Sequence, residues 1–185
     1  MLGGWRAAQR PVLTGSINRQ IGGERWIRPD SGWIKFNTDA AVCNTNGQRG
    51  FGWIARNANG QFLACASYPW PGICSVKELE ALAVREALIW LISQEWEKIV
   101  VETDALQVVS SLAEEPGNSY FDLILDDIRV MIASNVNIKV SHVKRSANRV
   151  AHKLARVAVS LSDRRVWLDL PPSNIVSLMA NDLLI

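Results

Sequence analysis

Three acidic residues occupy positions where the sequence around them predicts ordered structure. Asp39 interrupts an otherwise apolar run with strand-like alternation. An ionised carboxylate among buried strand residues is costly unless a positive group lies beside it. Asp104 stands where a short β-branched run passes into a helical pattern, and Glu80 lies on the amphipathic segment between the two runs. Carboxylates in such positions could bind a hard divalent cation.

Each of these residues also has a plain structural interpretation. Asp39 could face water from an edge position, and Asp104 could be the N-cap of the following helix. Glu80 could lie on a solvated helix face, as Glu78 and Glu86 are expected to do. The predicted topology, however, would bring the three carboxylates close to one another. Carboxylates that lie this close repel one another unless cations neutralise them. Two magnesium ions about 4 Å apart could then activate a water and stabilise the leaving oxygen of a phosphodiester.

The first half of the chain predicts three antiparallel strands and a helix. The strands are expected at residues 32–42, 50–56 and 61–67. Asn59-Gly60 favours the positive φ of a tight hairpin turn between the second and third strands. Ser75 stands three residues before Glu78, which is the spacing of a capping box, and it opens a helix that runs to about residue 93.

The second half alternates between strand and helix. Strands are predicted at residues 98–102 and 136–143, and helical patterns follow Asp104 and cover residues 121–133 and 147–159. The order βββ-α-β-α-α-β-α predicts an α/β fold. Its sheet should be mixed and five-stranded, with three antiparallel strands followed by parallel strands and with helices on both faces.

Length and composition favour one domain. The 185 residues, 48% of them hydrophobic, can bury one core but are few for two. We predict a poorly ordered leader at residues 1–30, the domain at 31–160, and a C-terminal tail at 161–185 that packs on the domain or extends it. The net charge of +2 supplies no global attraction to nucleic acid, so any such binding must use a local basic surface.

The remaining sequence features exclude several classes of protein. The apolar stretches are broken by charged residues, so we expect no membrane span. Cys43, Cys65 and Cys74 are odd in number and form no zinc-binding pattern, which favours free thiols in a reducing compartment. We therefore expect an intracellular protein, nuclear or cytoplasmic rather than organellar. We also expect a monomer.

Four segments of the chain resemble, in order, the signature blocks of ribonuclease H type 1. They are residues 33–41, 80–88, 101–104 and 141–155. The plant reverse-transcriptase-like subgroup, which occurs in non-LTR retrotransposons, is the most similar, and the resemblance spans about residues 26–182. It implies hydrolysis of the RNA strand of an RNA–DNA hybrid with Mg²⁺ or Mn²⁺ as cofactor.

The resemblance also implies roles for single residues. Asp39, Glu80 and Asp104 match the metal-binding carboxylates of the family. Glu78 is the alternative for the helix position, but Glu80 places small and apolar helix residues where the family has them. His142 matches a mobile catalytic histidine.

One position departs from the family pattern. His152 stands where the family usually has a fourth carboxylate, and a neutral imidazole is a poorer partner for magnesium. His152 could still bind a metal or relay a proton, so we retain it among the catalytic residues.

Nucleic-acid contacts are expected next to this position. Asn148 matches a residue that contacts substrate, and Lys144, Arg145 and Arg149 could track phosphates, although a plain solvated face explains these three basic residues as well. The family's separate basic helix has no counterpart in the sequence. The resemblance thus leaves two hypotheses: a hybrid-cleaving nuclease, or a catalytically weak or inactive relative that binds nucleic acid or a protein.

Overall fold

A computed structural model describes residues 16–18, 24–94, 96–135 and 137–184 of the chain. The strands are β1 (Ser16–Asn18), β2 (Ile34–Val42), β3 (Arg49–Arg56), β4 (Phe62–Trp70), β5 (Ile99–Thr103), β6 (Ile138–His142) and β7 (Arg165–Trp167). The helices are α1 (Val76–Ile92), α2 (Leu106–Leu112), α3 (Tyr120–Ala133), α4 (Arg149–Ala158) and α5 (Ser173–Leu183), and a 3₁₀ turn covers Arg145–Ala147.

The strands form one mixed sheet in the order β1-β6-β5-β2-β3-β4-β7. The strands β2, β3 and β4 pair antiparallel, and β5 and β6 continue the sheet in parallel on the other side of β2. This confirms the predicted α/β topology of three antiparallel strands followed by parallel ones. The predicted count of five strands is wrong, because β1 and β7 add a three-residue strand at each edge. Segments this short carry too little alternation to be read from sequence.

The main core lies between the sheet and the helices α1, α2 and α3, where the largest fully buried side chains include Trp53, Phe36 and Phe51. The opposite face is covered by α4, whose close approach depends on Gly52 of β3. A Cβ atom at Gly52 would lie 2.1 Å from the backbone nitrogen of Ala155. Any side chain there would therefore displace the helix that carries His152.

Two local predictions are confirmed in detail. Ser75 caps α1 and accepts a hydrogen bond from the backbone N–H of Glu78, whose carboxylate accepts one from the backbone N–H of Ser75. The hairpin between β3 and β4 turns at Gly60, where φ is +78°.

The predicted poorly ordered leader is wrong for its described parts. Residues of β1 pair in parallel with β6, and Trp26 is 4% exposed. The indole N–H of Trp26 donates to Asn37 at 2.9 Å, and the guanidinium carbon of Arg56 lies 3.6 Å from the centroid of the ring. A single tryptophan makes no periodic pattern, so its burial left no signal in the sequence. Residues 1–15 and 19–23 lie outside the described residues.

The C-terminal residues add a strand and a helix to the domain. The strand β7 pairs antiparallel with β4, and α5 places Ile175 in a small core cluster with Ile54, Val150 and Leu154. Cys43, Cys65 and Cys74 all carry free thiols. None of the described helices is both long and apolar enough to cross a membrane.

Candidate active site

Two of the three predicted carboxylates lie side by side on the sheet. The strands β2 and β5 are parallel and place Asn37 opposite Glu102. Asp39 and Asp104 each stand two residues beyond this pair, so strand register brings them to the same edge of the central sheet. Asp39 is 2% exposed, and Asp104 is half-buried.

The third carboxylate, Glu80, approaches from α1. Its side chain is partly buried, and its Oε2 atom is shielded from solvent without a hydrogen-bond partner. Burial, followed by the negative charges of Asp39 and Asp104, raises the pKa of Glu80 to about 9. The structure therefore brings the three carboxylates close enough to influence one another's ionisation, as the sequence predicted.

His152 projects from α4 onto Asp39. Its Nδ1 atom lies 2.7 Å from Oδ2 of Asp39. Burial raises the pKa of Asp39, the hydrogen bond with His152 opposes that effect, and the charge of Asp104 adds to it. Nη2 of Arg145 lies 2.9 Å from Nε2 and 3.2 Å from Nδ1 of His152, so the guanidinium contacts the imidazole ring.

Asn148 holds the end of β5 against β2. Its amide nitrogen donates to Oδ1 of Asp104 at 2.7 Å and to the backbone carbonyl of Thr38 at 3.0 Å. The side chain is only 1% exposed. The expected direct contact of Asn148 with nucleic acid does not match this burial, because the amide is already used to orient Asp104.

His142 does not have the surroundings expected of a mobile catalytic histidine. It is the last residue of β6, pairs in register with Thr103, and is 8% exposed. Its Nδ1 atom is buried without a hydrogen-bond partner. The predicted strand over residues 136–143 already includes His142, and strand pairing fixes its backbone. Its catalytic role stays a prediction.

The basic residues predicted to contact phosphates lie around the start of α4. Lys144 pairs with Glu24 at 2.8 Å, and Arg149 lies 3.4 Å from Asp182. Both pairs involve acidic residues from segments that flank the main sheet. Lys144, Arg145 and Arg149 are all exposed, as phosphate contacts require.

A buried polar network beneath the site was not foreseen from the sequence. Arg56 is 1% exposed and donates to Asp182 at 2.8 Å, and its second terminal nitrogen lies 3.3 Å from Oδ1 of Asn37. Asn37 in turn donates to Glu102, which pairs with Lys35 at 2.5 Å. Partners 126 positions apart leave no local pattern. The polar residues at alternate positions of β2, which are Lys35, Asn37 and Asp39, were the one available signal.

The donor chemistry of the three carboxylates fits a divalent cation. Oxygen ligands suit magnesium, and the unpartnered Oε2 of Glu80 is a buried acceptor that a cation would satisfy. Within the described ranges, however, no three acidic, histidine or cysteine side chains form a group that could hold a metal ion as it stands. His152 and Asn148 occupy oxygens of Asp39 and Asp104 that a metal would use.

Comparison with known protein families gives a match for this arrangement. The model of the family described as reverse transcriptase-like matches residues 37–158, which include all three carboxylates, His142 and His152. The chain belongs to the reverse transcriptase-like family. This match and the relatives described next support a protein of the ribonuclease H type.

One curated relative supports this membership. An Arabidopsis thaliana protein named as a candidate ribonuclease H protein is 28% identical over 186 residues. The match covers 97% of this chain but 29% of the relative, so the chain spans less than a third of that protein's length.

Solved structures of ribonucleases H share the fold. RNase H1 from the archaeon Halobacterium salinarum superposes with a TM-score of 0.56 at 21% identity, covering 69% of this chain and 97% of its own. LC11-RNase H1, solved in complex with an RNA/DNA hybrid, gives a TM-score of 0.60 at 20% identity and covers 68% and 96%. The reverse transcriptase-like chain therefore has a ribonuclease H fold.

Proposed function

We propose that this protein is a metal-dependent endonuclease that hydrolyses the RNA strand of RNA–DNA hybrids. One observation carries the proposal. Asp39, Glu80 and Asp104 come from two strands and a helix, yet they are near enough for the charges of the two aspartates to raise the pKa of Glu80. A fold does not keep three mutually repelling carboxylates together for stability, so their convergence points to a cation-dependent role.

The residues divide into ligands and supporting groups. Asp39, Glu80 and Asp104 would hold Mg²⁺ or Mn²⁺, and the bound metal would supply an activated water and stabilise the leaving oxygen of the phosphodiester. Asn148 orients Asp104 through its 2.7 Å hydrogen bond. Lys144, Arg145 and Arg149 are exposed beside the site, where they would contact phosphates.

Recognition of the hybrid would follow from its shape. A hybrid duplex is close to A-form, and proteins read such duplexes through the backbone and the 2′-hydroxyls rather than through base edges. We therefore expect little sequence preference and no cleavage of double-stranded DNA, which has no 2′-hydroxyl.

A second candidate function is a binding module without catalysis. The observation that favours it is the 2.7 Å contact between His152 and Asp39, because the imidazole uses an oxygen that a metal would need. In that case the same surface would bind nucleic acid or a protein without cleaving it.

A cleavage assay with end-labelled substrates separates the two functions. Wild-type protein is incubated with RNA–DNA hybrid, double-stranded RNA, double-stranded DNA and single-stranded RNA, in Mg²⁺, in Mn²⁺ and in EDTA. The nuclease hypothesis predicts cleavage of the RNA strand of the hybrid with either metal and none in EDTA. Folded protein that binds the hybrid without cleaving it in either metal would favour the binding module.

Two neighbouring glutamates on α1 provide a matched pair of variants. Glu80→Gln should abolish cleavage, because Glu80 faces the two aspartates. Glu78→Gln should cleave at the wild-type rate, because Glu78 belongs to the exposed capping box and its loss affects helix stability by about 1 kcal/mol. Equal loss in both variants would contradict the assignment of Glu80.

A further inference from the structure

A polar groove lies near the start of α4, between residues 24–26 and the end of α5. Its volume is about 500 Å³, and it is lined by Glu24, Arg25, Trp26, Ser146, Arg149, Asn181, Asp182 and Leu184. We call it the terminal groove. Its lining residues Ser146 and Arg149 are chain neighbours of Arg145, which contacts His152, and of Asn148, which contacts Asp104.

The walls of the terminal groove are fixed to the sheet by the buried polar network. Arg56 bonds Asp182 of α5 and stacks on Trp26 of the N-terminal segment. Trp26 is also tied to β2 through its hydrogen bond to Asn37. Because Arg56 and Asp182 are 1% and 3% exposed, this pairing is shielded from solvent and holds both segments in place. The groove is thus a preformed feature and not a gap between loose ends.

The lining of the terminal groove holds two arginines and two carboxylates, and each carboxylate is also paired with a cation outside the lining. The carboxylate of Asp182 forms an ion pair with Arg56 at 2.8 Å, which offsets most of its negative charge. Its contact with Arg149 is longer, at 3.4 Å. Glu24 pairs with Lys144 across an exposed 2.8 Å contact. Exposed pairs of this kind are weak and are readily exchanged for a phosphate. Arg25 makes no hydrogen bond or ion pair with any residue that the structure describes, so its charge is free.

The lining also supplies neutral donors. Ser146 and Asn181 are exposed, and neither side chain has a hydrogen-bond partner within the described residues. A hydroxyl and an amide next to two arginines are suited to the oxygens of a phosphodiester backbone, which accept hydrogen bonds and carry one negative charge per phosphate.

Most residues of the terminal groove lie outside the segment that the family model matches. That segment is residues 37–158, so Arg25 and Asn181 fall beyond it, whereas Ser146 and Arg149 lie within it. The Arabidopsis relative matches 97% of this chain, so its match extends beyond the segment of the family model.

We propose that the terminal groove binds the phosphodiester backbone of a nucleic-acid strand next to the carboxylate site. This inference rests on the proposed function for its ligand class, an RNA–DNA hybrid, but it concerns binding and not cleavage. It assigns charge attraction for phosphates to Arg25 and Arg149, and hydrogen bonds to phosphate oxygens to Ser146 and Asn181.

The test is binding of a fluorescein-labelled RNA–DNA hybrid, measured by anisotropy in EDTA across a range of salt concentrations. Arg25→Ala should weaken binding severalfold at low salt and reduce the slope of log K against log salt by about one, as loss of one phosphate contact does. Lys98→Ala is the matched control. Lys98 is exposed and lies at the start of β5, whereas Asp104 of the carboxylate site lies at the other end of that strand. It should bind with the wild-type slope.

The outcomes separate this inference from the proposed function. Arg25→Ala with the affinity and slope of Lys98→Ala would overturn the terminal groove as a binding site, even if the wild type cleaves the hybrid. A wild type that binds through Arg25 but does not cleave in Mg²⁺ or Mn²⁺ would support the groove and contradict the nuclease. Thermal melts of both variants should match the wild type, because neither side chain is buried.

Discussion

The imidazole of His152 lies 2.7 Å from the carboxylate of Asp39, at the position to which the resemblance to ribonuclease H assigns a fourth carboxylate. The contact places a hydrogen-bonding group against an aspartate that is 2% exposed. A buried carboxylate needs such a partner, because leaving it unpaired costs several kcal/mol. His152 thus stabilises Asp39 while occupying an oxygen that a metal would use.

Replacing His152 by aspartate should make the protein more dependent on metal. His152→Asp adds a negative charge beside Asp39 and removes its partner, so the melting temperature in EDTA should fall. Mg²⁺ should then raise the melting temperature of His152→Asp more than that of the wild type, because a ligand stabilises the state to which it binds. Thermal denaturation with and without Mg²⁺ measures both effects.

His152→Asn is the control for this prediction. It also removes the imidazole, but it adds no charge. Its response to Mg²⁺ should stay close to that of the wild type. An equal gain in the two variants would show that loss of the histidine, and not the added carboxylate, determines the response.

The stability of the metal-free protein should fall as the pH rises from about 4.5 to 9. The pKa of Glu80 is raised from 4.5 to about 9, so across this range the folded state retains a proton that the unfolded state releases. Asp39, whose pKa is also raised, acts in the same direction. Urea denaturation in EDTA at several pH values should therefore show a smaller decrease for Glu80→Gln than for the wild type. Glu97→Gln, at an exposed position, should follow the wild type.

The N-terminal segment should contribute strongly to stability. Trp26→Ala removes a ring that packs on Arg56 and is 4% exposed, so it should cost about 3–5 kcal/mol and lower the melting temperature by roughly 10 °C. Ile27→Ala, next to it but 64% exposed, should change stability little. Similar melting temperatures for Trp26→Ala and wild type would show that this segment does not pack on the sheet in solution.

The three thiols should react with iodoacetamide in the order Cys43, Cys74, Cys65. Hydrogen bonds from the backbone N–H groups of Thr45 and Asn46 lower the pKa of Cys43, whereas burial raises the pKa of Cys74 and raises that of Cys65 to about 12. The thiolate is the reactive form, so Cys65 should stay unlabelled at pH 8 until the protein unfolds. Peptide mass spectrometry over time gives the order. Early labelling of Cys65 would contradict its burial.

The sequence predicted those features that rest on local patterns. Alternation located β2 to β6, helical spacing located α1 to α4, and the Ser75–Glu78 spacing located the capping box. The convergence of Asp39, Glu80 and Asp104 followed from strand order and from the resemblance to ribonuclease H. These features are encoded within a few residues of one another or within a known order of motifs.

The features that the sequence did not reveal depend on distant contacts. No sequence pattern indicates that Arg56 pairs with Asp182. None indicates that Trp26 is buried, because its contacts are to Asn37 of β2 and Arg56 of β3. The hydrogen bond of Asn148 to Asp104 is of this kind. The sequence places Asn148 near the site, but only the packing of α4 on the sheet turns its amide towards Asp104.

The central claim is that Asp39 belongs to a catalytic carboxylate cluster, and the rate of hybrid cleavage by Asp39→Asn tests it most directly. The rate is measured in Mg²⁺ and Mn²⁺ beside the melting temperature, with Asp169→Asn, at an exposed position away from the site, as the control. We predict that Asp39→Asn cleaves no hybrid and melts at or above the wild-type temperature, because the change removes a metal ligand and relieves repulsion. Asp169→Asn should cleave at the wild-type rate. Cleavage by Asp39→Asn at the wild-type rate would contradict the account.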